Sequence, residues 1–226
     1  MNEIKRFIEK LKNIPGSADV FNQYRDNIPG LDIPQGASIR SKNLELYLNA
    51  MKDSPILLLG EAAGYKGARF SGVPMFSERQ IVEKEIPELS HLPLKRTSTR
   101  TRPFSEPTAT IVRKALREYP VKVIIWNLFP LHPHKPHDYL SNRPLRKQER
   151  ILGLEFLLEF LKIIKPEFII ACGKIAENAL REAGIDAFPV RHPANGGKRR
   201  FLEGLEEAMK IYLKKNAKMR SHKHHN

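Results

Sequence analysis

Cysteine is nearly absent from the chain, and its scarcity excludes several kinds of site. Cys172 is the single cysteine, so the chain cannot form an internal disulfide. A four-cysteine zinc site and a cysteine-ligated iron–sulfur cluster are excluded for the same reason. Cys172 lies in an apolar run and is expected to be a buried thiol.

Long apolar runs and phosphate-binding glycine motifs are also missing. No run approaches the ~18 residues that a membrane-spanning helix needs. The N-terminus begins an amphipathic pattern instead of a signal-peptide core. The chain has neither Gly-x-Gly-x-x-Gly nor a loop ending in Gly-Lys-Ser/Thr, which argues against a nucleotide cofactor. We expect an intracellular protein with no membrane partner and no cofactor.

Acidic residues are too few to balance the basic ones. Lysine and arginine together number 39 against 25 acids, which gives a formal net charge of +14. Such an excess predicts attraction to a polyanion. Nucleic acid is the first candidate, and an anionic membrane surface is the second. A basic, solubilising surface without a specific partner is the alternative.

What the chain does have is an alternation of short apolar runs and helical patterns. The apolar runs cover residues 56–59, 121–126, 168–172 and 187–190, and amphipathic segments lie between them. This alternation predicts an α/β fold, a three-layer α/β/α sandwich with a central four-stranded parallel sheet in a single domain. Residues 1–40 are expected to form an N-terminal helix and an extended loop that pack on the core. Residues 41–215 are expected to form the α/β domain, and residues 216–226 a basic disordered tail.

Polar residues follow three of the predicted strands. Glu61, Asn127 and His192 each come at the carboxyl end of a different apolar run. Because these ends lie along one edge of a parallel sheet, where open α/β sheets bind ligands, the three side chains are expected to converge. The set holds no Ser or Cys nucleophile and no cluster of metal ligands. His132 and His134 could suggest a metal, but the flanking prolines favour a structural or DNA-facing role.

Several short motifs occur in a fixed order along the chain. They are Gly60-Glu-Ala-Ala-Gly64, Gly72-Val-Pro-Met-Phe-Ser-Glu78, Trp126-Asn127, Asn142-Arg143-Pro144, Gly173-x-x-Ala176 and His192-Pro193. In sequence and in order these motifs resemble those of the uracil-DNA glycosylase superfamily, closest to its members with a Gly-Glu-Ala-Pro-Gly first motif. The similarity covers roughly residues 40–210.

The resemblance implies a metal-independent, monofunctional enzyme that flips uracil, or a related deaminated base, out of DNA and hydrolyses its N-glycosidic bond. It would thereby begin base-excision repair. Glu61 and His192 are the implied catalytic residues. The implied base-binding residues are Ala62, Met75, Phe76 and Asn127. Independently of the resemblance, two basic segments are expected to contact phosphates. The predicted DNA-binding residues are Arg100 and Arg102 in the loop at residues 91–107, and Arg191, Asn195, Gly196, Lys198, Arg199 and Arg200 next to His192.

The chain departs from the family pattern at three points. It lacks the four cysteines that hold an iron–sulfur cluster in the members that it most resembles. The aromatic residue expected after Pro74 is displaced by one position, so that either Met75 or Phe76 would cover the base. Ala62 stands where the best-known branch has its water-activating aspartate, which leaves Glu61 as the available carboxylate.

Two other functions are compatible with the sequence. One is a non-catalytic nucleic-acid-binding protein on the same fold, and the other is a hydrolase of free nucleosides or nucleotides. For the glycosylase, the expected partner is DNA that contains uracil or another deaminated base. The protein is expected to be a monomer in the cytoplasm, associated with the nucleoid.

Overall fold

The computed structural model of the protein describes the backbone of residues 2–223 and the side chains of residues 2–217. The helices are α1 (Glu3–Asn13), α2 (Gly36–Met51), α3 (Ala68–Ser71), α4 (Glu78–Val82), α5 (Pro107–Leu116), α6 (Lys147–Ile164), α7 (Lys174–Glu182) and α8 (Lys198–Lys223). The strands are β1 (Val20–Phe21), β2 (Ile56–Ala62), β3 (Val123–Phe129), β4 (His132–Pro133), β5 (Phe168–Cys172) and β6 (Phe188–Val190).

The centre of the molecule is a four-stranded parallel sheet with the strand order β3-β2-β5-β6. One face packs against a core that includes side chains from α1, α2, α6 and α7. The other face packs against a core that includes side chains from α5 and α8. Consecutive residues of β2 alternate between these two cores, as the period of two of a strand requires. The predicted three-layer α/β/α fold is confirmed.

Helix α1 covers one side of the first core. Its four buried residues are Ile4, Phe7, Ile8 and Leu11, which recur at helical spacing. The Phe7 ring lies 5.5 Å from the ring of Trp126 in β3, measured between centroids. The N-terminal segment therefore contributes directly to the core beneath the sheet.

The extended loop between α1 and α2 is held by a buried ion cluster. The Asp32 carboxylate accepts hydrogen bonds from Arg40 Nη1 at 2.8 Å and from Arg69 Nη1 at 2.6 Å, and all three side chains are buried. Burial would raise the pKa of Asp32, but the hydrogen bond from Arg69 and the charges of both arginines outweigh that effect and lower it. The single Asp32 carboxylate is thus the counter-ion of two buried guanidinium groups.

Two helices cross the predicted segment boundaries. Helix α2 begins at Gly36, five residues before residue 41, because the segment around Arg40 is already anchored by Asp32. Helix α8 continues to Lys223, through most of the segment that the sequence assigns to a disordered tail. The chain after Gly204 has neither glycine nor proline to end the helix. Residues 224–226 of the predicted tail lie outside the described residues. Among the described helices, none is long and apolar enough to span a membrane.

Candidate active site

A cavity of about 390 Å³ lies at the carboxyl edge of the sheet. It gathers residues that are far apart in sequence, including five of the predicted site residues. These five are Glu61, Ala62, Met75, Asn127 and His192. The strand order places this cavity near the point where the chain reverses its direction of winding, between β2 and β5, which is where open α/β sheets bind ligands.

Asn127 projects into the cavity from within β3, beside Gly60 of β2 in the parallel register. Its side chain is 2% exposed, and its Oδ1 has no hydrogen-bond partner among the described residues. A Cβ atom on Gly60 would lie 2.8 Å from that oxygen and 2.5 Å from Met75 Cε, so glycine makes room for both side chains. A buried amide oxygen without a partner is costly, and a ligand with an N–H donor would satisfy it.

Met75 lines the cavity, whereas Phe76 does not. The backbone of Met75 has a φ of 45°, an uncommon left-handed conformation for a residue with a side chain. Arg113 holds this turn by donating from Nε to the Met75 carbonyl at 3.0 Å and from Nη2 to the Pro74 carbonyl at 2.9 Å. The turn directs the two side chains into opposite cores, with Phe76 in the core that includes Tyr24 and Tyr47. Of the two residues predicted to cover a base, Met75 is therefore the one that lines the cavity.

His192 lies in the same cavity, in the turn after β6. Its Nδ1 accepts a hydrogen bond from the backbone N–H of Ala194 at 3.2 Å. Burial lowers the pKa of the imidazole, and the charge of Arg191 lowers it further. The ring is therefore neutral near pH 7, and its hydrogen is on Nε2, which is the nitrogen left to donate to a ligand.

Glu61 is a carboxylate shared by two adjoining spaces. It lines this cavity and also a neighbouring cleft that contains Cys172, Arg191 and Asn195. Burial raises the pKa of Glu61, and the backbone N–H of Leu145 together with Arg150 opposes the shift. A raised pKa brings this carboxyl group closer to the range in which a general base works.

Glu106 is a site residue that sequence reasoning missed. It comes directly before α5, and its carboxyl group reaches into the cavity. Burial raises its pKa to about 7, and the charge of Arg113 opposes the shift. The only signal in the sequence was a glutamate next to Pro107, which is typical of a helix start.

The predicted DNA-binding residues lie on two segments that flank the cavity. On one side, Arg100 stacks over the Phe104 ring at 4.6 Å, and Phe104 in turn contacts the ring of Tyr65, next to Gly64 of the cavity wall. Arg102 is exposed on the same loop. On the other side, the basic segment includes residues before and after His192. It contains Arg191, Asn195, Gly196, Lys198, Arg199 and Arg200.

His132 and His134 are held in place by hydrogen bonds to the backbone. His132 and His134 are buried, and each ring bonds a backbone carbonyl, of Ser141 and Lys135 respectively, at 2.8 Å. Burial lowers the pKa of His132 to about 3. Within the described part of the chain, no group of three or more His, Cys, Asp or Glu side chains could hold a metal ion. The Cys172 thiol is buried, and burial raises its pKa to about 12.

The fold and the site together define an α/β protein with a cavity of about 390 Å³ at the carboxyl edge of its sheet, lined by both polar and apolar residues and close to two basic segments. The chain belongs to the uracil DNA glycosylase superfamily, whose family model matches residues 47–212. The similarity inferred from its motifs is thereby confirmed.

Among solved structures, the crystal structure of wild-type Pedobacter heparinus SMUG2 is similar to this chain. The TM-score is 0.62 at 16% sequence identity, and the match covers 95% of this chain and 99% of that chain. At this identity the likeness shows a shared fold. No curated protein matches the sequence.

Proposed function

We propose that this protein excises uracil, or a related deaminated base, from DNA by hydrolysing the N-glycosidic bond. The observation that carries the proposal is the buried Asn127 Oδ1, which lacks a partner among the described residues and lines the same cavity as the neutral His192. Membership of the superfamily supports the reaction class.

Asn127 is the residue proposed to choose the base. Its amide can accept a hydrogen bond from uracil N3–H through Oδ1 and donate to uracil O4 through Nδ2. Cytosine presents the opposite polarity at both positions. A pocket that leaves buried polar groups unpaired with the wrong base can discriminate by several powers of ten. Met75, held in its turn by Arg113, would cover the face of the base.

His192 is proposed to stabilise the departing base. As the glycosidic bond breaks, negative charge accumulates on the uracil and positive charge on the sugar. A neutral imidazole with its hydrogen on Nε2 can donate to uracil O2, and it needs no reorganisation because Ala194 already fixes the ring.

Glu61 is proposed to orient or deprotonate the attacking water, and its negative charge favours the cationic sugar. The Ala62 side chain beside it has no polar group and leaves this task to Glu61. Since burial raises the pKa of Glu61, its ionised fraction, and with it the rate, should increase as the pH rises through that pKa.

The flanking basic segments are proposed to hold the phosphates around a flipped nucleotide. Lys198, Arg199 and Arg200 occupy the first turn of α8, where positive side chains are unfavourable with the helix dipole unless an anion is bound. We propose that the protein acts on DNA as a monomer, since both segments and the cavity belong to one chain.

The proposal is tested with oligonucleotides that contain uracil, hypoxanthine, a thymine mismatch or only normal bases. After incubation, alkaline cleavage reveals abasic sites. We expect cleavage of the uracil strand without added metal. In Asn127→Asp, an ionised carboxylate cannot donate to O4, and a protonated one can pair with cytosine, so discrimination against cytosine should fall. The exposed Asn49→Asp on α2 is the control with the same chemical change.

The same assay separates the alternatives. A protein that binds uracil-containing DNA tightly and leaves every strand intact would be a non-catalytic binder. A hydrolase of free nucleosides would release uracil from deoxyuridine at a rate that does not depend on strand length. Either result would overturn the proposed function.

A further inference from the structure

Glu106 lines the cavity, and its carboxyl group packs against two glycines, with Oε1 facing Gly64 of the cavity wall and Oε2 facing Gly67. A Cβ atom on Gly64 would lie 2.8 Å from Glu106 Oε1, so the carboxyl group fills the space that a side chain at position 64 would occupy. Glu106 Oε2 is buried and has no hydrogen-bond partner among the described residues. Asn127, whose Oδ1 also lacks a hydrogen-bond partner among the described residues, lines the same cavity as Glu106.

The charged groups around Glu106 have other partners. On its own helix, Arg113 donates to the carbonyls of Pro74 and Met75. On α4, Arg79 bonds Ser105, Thr110, Glu83 and Glu85.

The remaining neighbours come from the other walls of the cavity. Arg143 is paired with Glu149 at 2.5 Å, and Lys66, exposed on the loop after Gly64, lies over the Tyr65 ring. Glu61 and the neutral His192 complete the titratable groups that line the cavity. Within the described part of the chain, none of these side chains forms a hydrogen bond or an ion pair with the Glu106 carboxyl group. A carboxyl group that is partly removed from water and has no cationic partner favours its neutral form.

We propose that Glu106 acts in the base pocket as a neutral carboxylic acid that donates a hydrogen bond to a carbonyl oxygen of the bound base. The proposal rests on the proposed function. It adds a third polar contact to those of Asn127 and His192 and makes excision depend on the protonation of Glu106.

The negative charge that develops on the departing base determines which protonation state of Glu106 is favourable. The departing uracil becomes negative, so a protonated Glu106 stabilises it, and the proton stays on the carboxyl group. An ionised Glu106 has no hydrogen to donate and places a second negative charge in the same buried cavity. The pKa of about 7 puts this change within the working range of pH, with the active, protonated form present below it. Excision should therefore rise with pH as Glu61 ionises and fall again as Glu106 ionises.

The experiment is a pH profile of single-turnover excision from a uracil oligonucleotide. For wild type, one ionisation at about pH 7 predicts roughly a tenfold loss of rate between about pH 6 and pH 8. Glu106→Gln keeps an N–H donor but cannot ionise, so its rate should stay level over that interval. Glu118→Gln, an exposed change of the same charge beyond the end of α5, should keep the wild-type profile.

The outcomes separate this inference from the function on which it rests. If wild type excises uracil and Glu106→Gln shows the same alkaline loss, the inference is wrong and the proposed function stands. If wild type excises nothing at any pH, the proposed function is wrong, and the inference that rests on it is overturned as well.

A second measurement covers the case in which Glu106→Gln does not fold. This measurement uses Glu61→Gln protein, which lacks the other carboxyl group in the cavity whose pKa is raised. Its infrared spectrum should contain a protonated carboxylic C=O band that disappears as the pH rises through about 7. If that band is missing at about pH 6, Glu106 is already ionised and the inference is overturned.

Discussion

At the scale of single residues, the proposed chemistry depends on which hydrogen bonds the polar atoms of the pocket already form within the protein. His192 has one nitrogen committed to Ala194, which leaves the other as a donor. Replacing His192 with Ala should slow uracil excision by roughly ten- to thousandfold, about the cost of losing one preorganised donor to a developing oxyanion. Single-turnover kinetics measures the loss.

DNA affinity serves as the internal check on that variant. Because phosphate contacts are proposed on the basic segments outside the cavity, His192→Ala should bind a uracil oligonucleotide about as tightly as wild type. A variant that cleaves at the wild-type rate would remove His192 from the mechanism. A variant that loses binding and cleavage together would show a structural role instead.

The sequence pattern predicts the cavity residues that follow a strand, but it does not predict those that reach the cavity from a helix start or a turn. Glu61, Asn127 and His192 can be identified because parallel strands bring their carboxyl ends together. Glu106 reaches the cavity from a helix start, and no periodic pattern in the sequence shows where such a side chain points. The choice between Met75 and Phe76 requires the left-handed φ of Met75, which the sequence does not encode in any simple pattern.

At the scale of secondary-structure elements, the position of Asn127 depends on how closely α6 approaches β3. A Cβ atom on Gly153 would lie 2.5 Å from the Leu128 carbonyl oxygen, and this neighbour is rigid backbone. Gly153→Ala should therefore destabilise the protein by about 1–3 kcal/mol in urea unfolding, because the helix must move away from the strand. Excision should fall as well, since Leu128 follows Asn127 in β3.

Gly204→Ala on α8 is the matched control. Its Cβ atom would lie 3.3 Å from Val190 Cγ1, a side-chain atom that can shift slightly. The gain in helix propensity of up to about 1 kcal/mol should offset most of the crowding. If Gly153→Ala were as stable as Gly204→Ala, close helix–strand contact would not be what positions Asn127.

The strands are the most predictable elements, and the helix ends are the least. All four predicted strands form the central sheet, because each is rich in apolar residues, and the two central strands are buried almost throughout. The early start of α2 depends on the distant Asp32, and such a tertiary contact cannot be read from local pattern. The continuation of α8 is signalled by the absence of helix breakers, but its polar composition favours a tail.

At the scale of the whole molecule, the net charge of +14 should dominate affinity for DNA. Each phosphate that the protein neutralises releases counterions, so affinity should fall at least about tenfold between about 50 and 200 mM salt. Fluorescence anisotropy with a labelled duplex measures this dependence. A flat response would contradict electrostatic binding.

Neutralising part of the surface locates the residues that bind phosphate. Changing Lys198, Arg199 and Arg200 together to Gln should reduce the slope of log affinity against log salt by about one for each phosphate that the variant no longer neutralises. Lys42→Gln on α2, where Lys42 pairs with Glu45, should leave the slope unchanged. If both variants shifted the slope equally, attraction would be spread over the surface instead of being concentrated beside His192.

The buried cluster of Asp32, Arg40 and Arg69 has a consequence for the smallest fragment that can fold. The family match begins at residue 47, but the counter-ion of Arg69 lies at Asp32, outside that span. A fragment cut at the limits of the match would keep Arg69 buried without its carboxylate and would expose the core surface that α1 covers. We therefore expect the segment that folds cooperatively to be larger than the segment that the family model matches, and to include Asp32 and α1.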